Sequence, residues 1–394
     1  MSDTLDQFAQ AKLDGLEAKG LLRRLTVTER TGPIEILRGG RKLISFSCND
    51  YLNLSQHPSV KQAAKDAIDR LGVGSGASRL VTGDHPLLPE LESRLARLKG
   101  TEACAVMGSG FLTNTGVIPT LVTEGDLVLA DEWSHACIIV GGRLSKADQH
   151  LFRHNDLHHL RALLDRHRAS HGHCLIVTDG VFSMDGDLAP VHELAALAKE
   201  YDAWLMTDDA HGIGVVGAGG RGSTFAGGTK AEVDLQMGTL SKAVGGYGGY
   251  LCASKPVIDL MKTRCRTLVY STGLPPATVA AAIAALNIIE SDPEYASRPL
   301  KKAQRFTQRL GLPLAESPIV PILLGDAART MAAQKRLEDA GYLVVGIRPP
   351  TVPEGTARLR LTFTAEHTDA DIDKQADLIA EKVLTGEEPF RASS

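Results

Sequence analysis

The chain has 394 residues, 43% hydrophobic and 23% charged, which is ordinary globular composition with more length than one core usually fills. Lys and Arg total 43 against 47 Asp and Glu, so a formal net charge of -4 provides no long-range attraction to nucleic acid or an anionic membrane, and any basic site must be local. No uncharged apolar run reaches the roughly 18 residues of a membrane helix, and MSDTLDQFAQ mixes polar and charged residues where a signal peptide would be apolar. The expectation is a soluble, cytoplasmic chain with no nucleic-acid or membrane partner.

Residues 3 to 18 place Leu5, Phe8, Leu13 and Leu16 near helical spacing, and IEILRGGRKLISFS reads as a hairpin turning at Gly39 and Gly40. These make an N-terminal arm, residues 1–48. From about residue 58, helical stretches alternate with apolar strands near ACAVM, DLVLA, CLIVTD, AWLMTD and LQMGT. That alternation predicts an α/β fold, a mostly parallel sheet covered by helices, in a large domain over 49–285. An Ala-rich stretch from about 276 to 290 reads as a long helix leading out of it. Beyond lie strands near IVPILL, YLVVGI and ARLRLTF, with helices around 326–339 and 368–383, which predicts a smaller C-terminal α/β domain over 286–394. The six cysteines include no C-x-x-C pair and read as reduced, mostly buried thiols. His171, His173 and Cys174 are close in sequence, but LIVTD after them reads as a buried strand, so no metal site is expected.

In open parallel sheets the ligand lies beyond the carboxyl ends of the strands, so residues that directly follow apolar runs are the candidates. In ACAVMGSGFLTNTG the run passes through Gly108, Ser109 and Gly110 into a helical pattern near Phe111. Small residues and free N–H groups at a helix start suit an anion such as phosphate, although a plain turn reads equally well from these residues alone. AWLMTDDAHG sets Asp208, Asp209 and His211 after a strand, where an ionised carboxylate needs a partner. Asp208 suits a protonated heterocyclic nitrogen or, alternatively, a helix N-cap. In LQMGTLSKAVGGYGGYL, Lys242 follows Thr239 and Ser241 and precedes four glycines. An isolated lysine is usually a solvated charge, but a small-residue loop allows close packing on a planar ligand and the desolvation that lowers an amine pKa for Schiff-base chemistry.

The order of phosphate loop, aspartate after a strand and lysine after a later strand resembles the fold-type I pyridoxal-phosphate enzymes, the aminotransferase-like transferase fold. More narrowly it is similar to the α-oxoamine synthases, which condense an amino acid with an acyl thioester and lose carbon dioxide. The likeness runs from LRRL near residue 22 to ARLRLTFTAEHT near 368. It implies pyridoxal 5'-phosphate as cofactor, with Lys242 as the Schiff-base residue, Asp208 paired with the pyridine nitrogen and His211 on the phenolic oxygen. It further implies that His135 of DEWSHACI stacks on the ring and that Ser183 of DGVFSMDGD makes a polar contact. Gly110, Phe111, Thr239 and Ser241 then lie by the phosphate. Ser271 and Thr272 of YSTGLPPA complete that cup in the neighbouring subunit of a homodimer. Arg360 and Thr362 on the ARLRLT strand, with Asn49 of CNDYL, match the substrate side, and Arg23 matches a position near the acyl chain.

CNDYLNLS, FRHNDLHHL, DGVFSMDGDLAP and GIRPPTVPEGTARLRLTFTAEHT resemble the branch that joins L-alanine to pimeloyl-coenzyme A or pimeloyl-acyl carrier protein in biotin biosynthesis. Relatives of the glycine C-acetyltransferase, 5-aminolevulinate synthase and serine palmitoyltransferase types are the alternatives, with an aminotransferase or a non-catalytic relative further off. Two positions depart from the pattern: Asn53 stands where glycine is usual, and Trp133 where a smaller or charged residue is common.

Overall fold

In the computed structural model, which describes residues 4–19 and 21–384, helix Leu5–Ala18 begins with a capping box in which Thr4 and Gln7 exchange backbone-to-side-chain hydrogen bonds. Leu5, Phe8, Leu13 and Leu16 share the helical spacing expected, yet all are exposed and the helix buries no residue within the chain. The hairpin follows. Strands β1 (Thr28–Arg30), β2 (Glu35–Arg38) and β3 (Arg41–Ser45) pair antiparallel, and the two-residue turn between β2 and β3 holds Gly39 and Gly40 at φ 55° and 78°. Both central residues of such a turn need positive φ, which glycine adopts at no steric cost.

Seven strands form the central sheet: β4 (Ala103–Met107), β5 (Leu127–Asp131), β6 (Asp148–Phe152), β7 (Cys174–Asp179), β8 (Trp204–Asp208), β9 (Leu235–Thr239) and β10 (Gly249–Ala253). Their order is β4-β10-β9-β8-β7-β5-β6, with every pair parallel except those made by β10, which is antiparallel to both neighbours. Alternate residues of β4 and β10 enter two different cores. Cys104, Val106, Tyr250 and Cys252 pack with helices Pro58–Leu71, Leu87–Lys99 and Pro276–Ser291, whereas Ala105, Met107, Leu251 and Ala253 pack with helices Gly110–Leu121 and Lys255–Arg264. The sheet is therefore covered on both faces, as a parallel sheet requires. Five of its strands are the apolar runs read from the sequence. The other two, β6 (DQHLF) and β10 (GYLCA), lack that signature.

Towards the C-terminus, β11 (Ile319–Gly325), β12 (Tyr342–Leu343), β13 (Val345–Ile347) and β14 (Ala357–Thr362) are divided between two sheets. The run YLVVGI, expected as one strand, breaks at Val344: β12 pairs parallel with β3, while β13 joins the antiparallel sheet β11-β14-β13. One apolar core serves both, with Phe46, Phe306, Val344, Leu361 and Phe363 buried together. Helices Ala327–Asp339 and Asp369–Lys382 stand where expected, and a further helix, Pro293–Arg309, follows the Ala-rich one. All six cysteines are free thiols and five are buried. Among the described residues no helix is long and apolar enough to cross a membrane.

Candidate active site

Because β7 and β8 run parallel in register, their last residues Asp179 and Asp208 arrive side by side at the carboxyl edge of the sheet. Asp208 accepts the Ala210 N–H at 2.9 Å and the Asn114 side-chain amide at 2.7 Å, the latter from helix Gly110–Leu121. Asp179 accepts the His135 backbone N–H at 3.1 Å. Burial, and next the charge of Asp208, push the Asp179 carboxyl well above the usual range. Asp209 turns away from this group. It forms a fully buried ion pair with Lys99 at 2.7 Å and accepts the Ser223 N–H, bracing the turn that presents His211.

Lys242 lies in the turn after β9 and shares a 2.7 Å hydrogen bond with His211 Nε2. Burial lowers the lysine pKa to about 8, an effect that the charges of Asp208 and Asp179 only partly oppose. His211 is held well below its ordinary value by burial and then by the Lys242 charge, so its ring is neutral. Its Nδ1 is 2.6 Å from the hydroxyl of Tyr51, a side chain with no exposed surface whose own pKa burial pushes up to about 12. From there the network runs outward. Tyr51 and Arg360 Nη1 approach Asn49 Oδ1 at 3.4 and 3.2 Å, and Arg360 Nε donates to the Ser183 carbonyl. Arg360 is buried on β14 at 8% exposure, too little for a merely solvated arginine. Lys242, His211, Tyr51, Asn49, Arg360 and Ser183 thus form one connected set across three sheets.

His135, an exposed residue, caps helix Ala136–Ser145 through its Nδ1, which accepts the Cys137 N–H. Partial desolvation lowers its pKa. Ser109 caps helix Gly110–Leu121 by accepting the Leu112 N–H. At Gly110 a Cβ would stand 3.2 Å from Met237 Cε, so the position is kept small by the floor of the site, while Phe111 is half-exposed. Thr239 links its hydroxyl to Ser241 at 2.8 Å and to the Gly248 carbonyl at 2.7 Å. Thr362 is buried with its hydroxyl donated to the Cys48 carbonyl at 2.9 Å, so it holds the Asn49 segment against β14. Arg23 is exposed and donates to Thr351 at 2.9 Å. Ser271 and Thr272 lie in a segment tied to residues 77 and 78. Among the described residues, no hydrogen bond connects Arg23, Ser271 or Thr272 to the Lys242 group.

Three members of the site were not singled out from the sequence: Tyr51, Asn114 and Asp179. Tyr51 lies two residues from Asn49. Asn114 sits one helical turn beyond Gly110, and Asp179 ends the run LIVTD as Asp208 ends WLMTD, a parallel that was readable. The two departures from the family pattern are accommodated locally. Asn53 has φ 53° and donates to the Pro33 carbonyl at 2.7 Å; asparagine is among the few residues that take the left-handed conformation glycine usually fills. Trp133 stacks on His154 at 3.9 Å between ring centroids.

The donor set fits pyridoxal phosphate. It offers a buried primary amine with lowered pKa, a carboxylate oriented by two N–H donors, and an N–H-bearing helix start behind small residues 108–110. In addition, the buried Asn114 Oδ1 and Ser134 Oγ lack partners within the chain.

Residues 41–379 match the family model of class I and II aminotransferases. An 8-amino-7-oxononanoate synthase of Beijerinckia indica is 59% identical over 378 residues, 96% of this chain and 98% of its own length. A Parvibaculum lavamentivorans protein that provisionally carries the same name is 64% identical over 382 residues, 97% and 98% of the two chains. Among solved structures, a serine palmitoyltransferase of S. paucimobilis with a bound PLP–myriocin aldimine superposes with a TM-score of 0.89 at 31% identity, covering 96% of this chain and 98% of that one.

Proposed function

The chain belongs to the class I and II aminotransferase family, and from that membership we propose that it catalyses the 8-amino-7-oxononanoate synthase reaction of biotin biosynthesis. L-Alanine and a pimeloyl thioester, on coenzyme A or an acyl carrier protein, give the amino-ketone, carbon dioxide and free thiol. What carries the reading is the continuous network from Lys242 through His211, Tyr51 and Asn49 to Arg360, which sets an amine of lowered pKa within one connected site with a buried arginine.

When bound, pyridoxal 5'-phosphate would supply an electron sink for the pair left at the amino-acid Cα. Lys242 is the amine that would hold it, and the neutral amine would accept the Cα proton; a pKa near 8 leaves a useful neutral fraction at physiological pH. Asp208, oriented by Asn114 and Ala210, would hold a proton on the pyridine nitrogen. His211 would meet the phenolic oxygen through Nε2, because Tyr51 engages Nδ1. His135 would cover the ring face, with Ser183 beside it. Gly110, Phe111, Thr239 and Ser241 would border the phosphate, and Ser271 and Thr272 would close that cup from the second subunit of a homodimer. Arg360 takes the alanine carboxylate with its guanidinium fork, Asn49 and Thr362 fix that fork's surroundings, and Arg23 meets the acyl chain. During condensation and decarboxylation, His135 and His211 steady the ketone and carboxylate oxygens as hydrogen-bond donors.

The test presents L-alanine, glycine and L-serine separately to the holoprotein with pimeloyl-coenzyme A and follows thiol release. Alanine should be preferred. Equal or better kcat/KM with glycine or serine would move the substrate assignment to another branch, and a monomer in solution at full activity would remove the role of Ser271 and Thr272.

A further inference from the structure

At the other end of the sheet from Lys242 lies a group of side chains the reaction does not use. Strand β6 is the sheet edge, and Asp148 is its first residue, two before His150. They meet His167, the last residue of helix Leu157–His167, and His171 in the turn beyond it. Asp148 Oδ2 is 2.9 Å from His150 Nε2 and 3.4 Å from His171 Nε2. The His150 and His167 rings stack at 4.1 Å, and the ligating atoms of Asp148, His150 and His167 all lie within 4.8 Å of one another.

Surface carboxylate–imidazole pairs are common, and by itself this one could be only that. His171 adds a second feature. Its Nδ1 stands 2.7 Å from the His167 carbonyl oxygen, which only accepts, so the ring proton belongs on Nδ1 and Nε2 is the ligand-type nitrogen. That Nε2 stands 3.4 Å from an Asp148 carboxylate oxygen, and a metal ion would take both atoms as ligands. An imidazole whose far nitrogen donates to a backbone carbonyl is also the usual outer arrangement of a metal-ligating histidine.

The chemistry selects the metal class. Imidazoles with a single carboxylate suit zinc and its first-row neighbours, whereas calcium and magnesium take oxygen shells. Bonds of about 2.0–2.2 Å give a tetrahedral site edges of roughly 3.3–3.5 Å. The Asp148–His171 separation already has that length. The ligand atoms of Asp148, His150 and His167 need to close by about 1.5 Å or less, and His171, outside that 4.8 Å group, needs a larger turn, all by rotation of side chains that are partly exposed. The sequence-adjacent group His171, His173 and Cys174 does not converge in this way. His173 stacks on Trp204, and Cys174 is buried in the core under β7.

We propose that Asp148, His150, His167 and His171 form a zinc-type divalent metal site that fastens edge strand β6 to the C-terminal end of helix Leu157–His167. The site lies outside the catalytic machinery, so the reaction itself continues without it. The test uses holoenzyme freed of excess cofactor and of metals, titrated with Zn2+ against a chromogenic chelator and, in parallel, with Co2+ followed in the visible spectrum. One equivalent per chain should bind. His150→Gln and His171→Gln should each weaken binding at least tenfold and abolish the Co2+ ligand-field bands, with thiol-release activity unchanged. If the wild-type chain takes up no equivalent at millimolar Zn2+, or if the His150→Gln/His171→Gln double variant binds with the same stoichiometry and affinity, the proposal fails.

Discussion

Tyr51→Phe is the most informative single substitution in the site. It removes one oxygen and leaves His211 Nδ1, in a residue only 6% exposed, without its 2.6 Å partner. Tyr51 itself is fully buried, so water has no route to replace the hydroxyl. An unsatisfied buried acceptor costs about 1–3 kcal/mol. If that loss is felt where His211 positions the reacting groups, kcat falls by about 5- to 150-fold. Tyr51 acts through His211, so in a His211→Asn background Tyr51→Phe should cost almost nothing further, giving a coupling of about 1–3 kcal/mol in a double-mutant cycle. Thiol release with L-alanine and pimeloyl-coenzyme A gives kcat for all four proteins, and a thermal melt checks that each is folded. A rate within twofold of wild type for Tyr51→Phe, or the same loss in both backgrounds, would refute the reasoning and point to Asn49 as the group that the hydroxyl serves.

Apoprotein should take up pyridoxal phosphate with a rate that rises with pH to half its maximum near pH 8, since only the neutral Lys242 amine attacks an aldehyde; a midpoint near the ordinary lysine value of 10.5 would contradict the burial argument. The same depression means that the folded apoprotein binds fewer protons than the unfolded chain between about pH 8 and 10.5, so Lys242→Met should stabilise it by about 3 kcal/mol at pH 7, with the gain vanishing as pH rises through that window in urea titrations. His154 moves the other way. Burial opposes its charge, but hydrogen bonds to Asp131 and Asp187 prevail and raise its pKa to about 9, so its stabilisation is complete below about pH 6.5 and is lost as pH rises to about 9. His154→Gln should therefore cost about 1–3 kcal/mol at pH 6 and little above pH 9; a cost independent of pH would remove the ion-pair explanation. Asn53→Ala should lose about 1–2 kcal/mol from the left-handed backbone alone, and Asn53→Gly should lose only its hydrogen bonds, so an alanine variant at least as stable as the glycine one in a thermal melt would count against that strain.

Much of this is legible in the sequence. Five strands of the central sheet are almost wholly buried and read as mainly apolar runs, and the residues at and after their ends are the ones that meet at the site. Strand β6 escaped because an edge strand buries little and can be as polar as DQHLF. The break inside YLVVGI escaped for a different reason: a run of apolar residues does not show that the chain changes partner at Val344. Lys242, Asp208 and His211 were found because each sits close after a strand in a recognisable order. Tyr51, Asn114 and Asp179 act through contacts 160, 94 and 44 residues away in sequence, respectively, with His211, Asp208 and His135. Spacing along a chain carries no record of such meetings. Nor does it tell that Asp209, next to Asp208, is spent on Lys99.

The central claim is that the Lys242 site runs a decarboxylative condensation. It is tested most directly by incubating the holoprotein with L-alanine and pimeloyl-coenzyme A, measuring thiol and carbon dioxide release together and determining the product's mass, with Lys242→Ala in parallel. The account predicts equal amounts of thiol and carbon dioxide, a product with the mass of 8-amino-7-oxononanoate, and no turnover by the variant. Thiol release without carbon dioxide, or a Lys242→Ala protein that turns over at the wild-type rate, would contradict it.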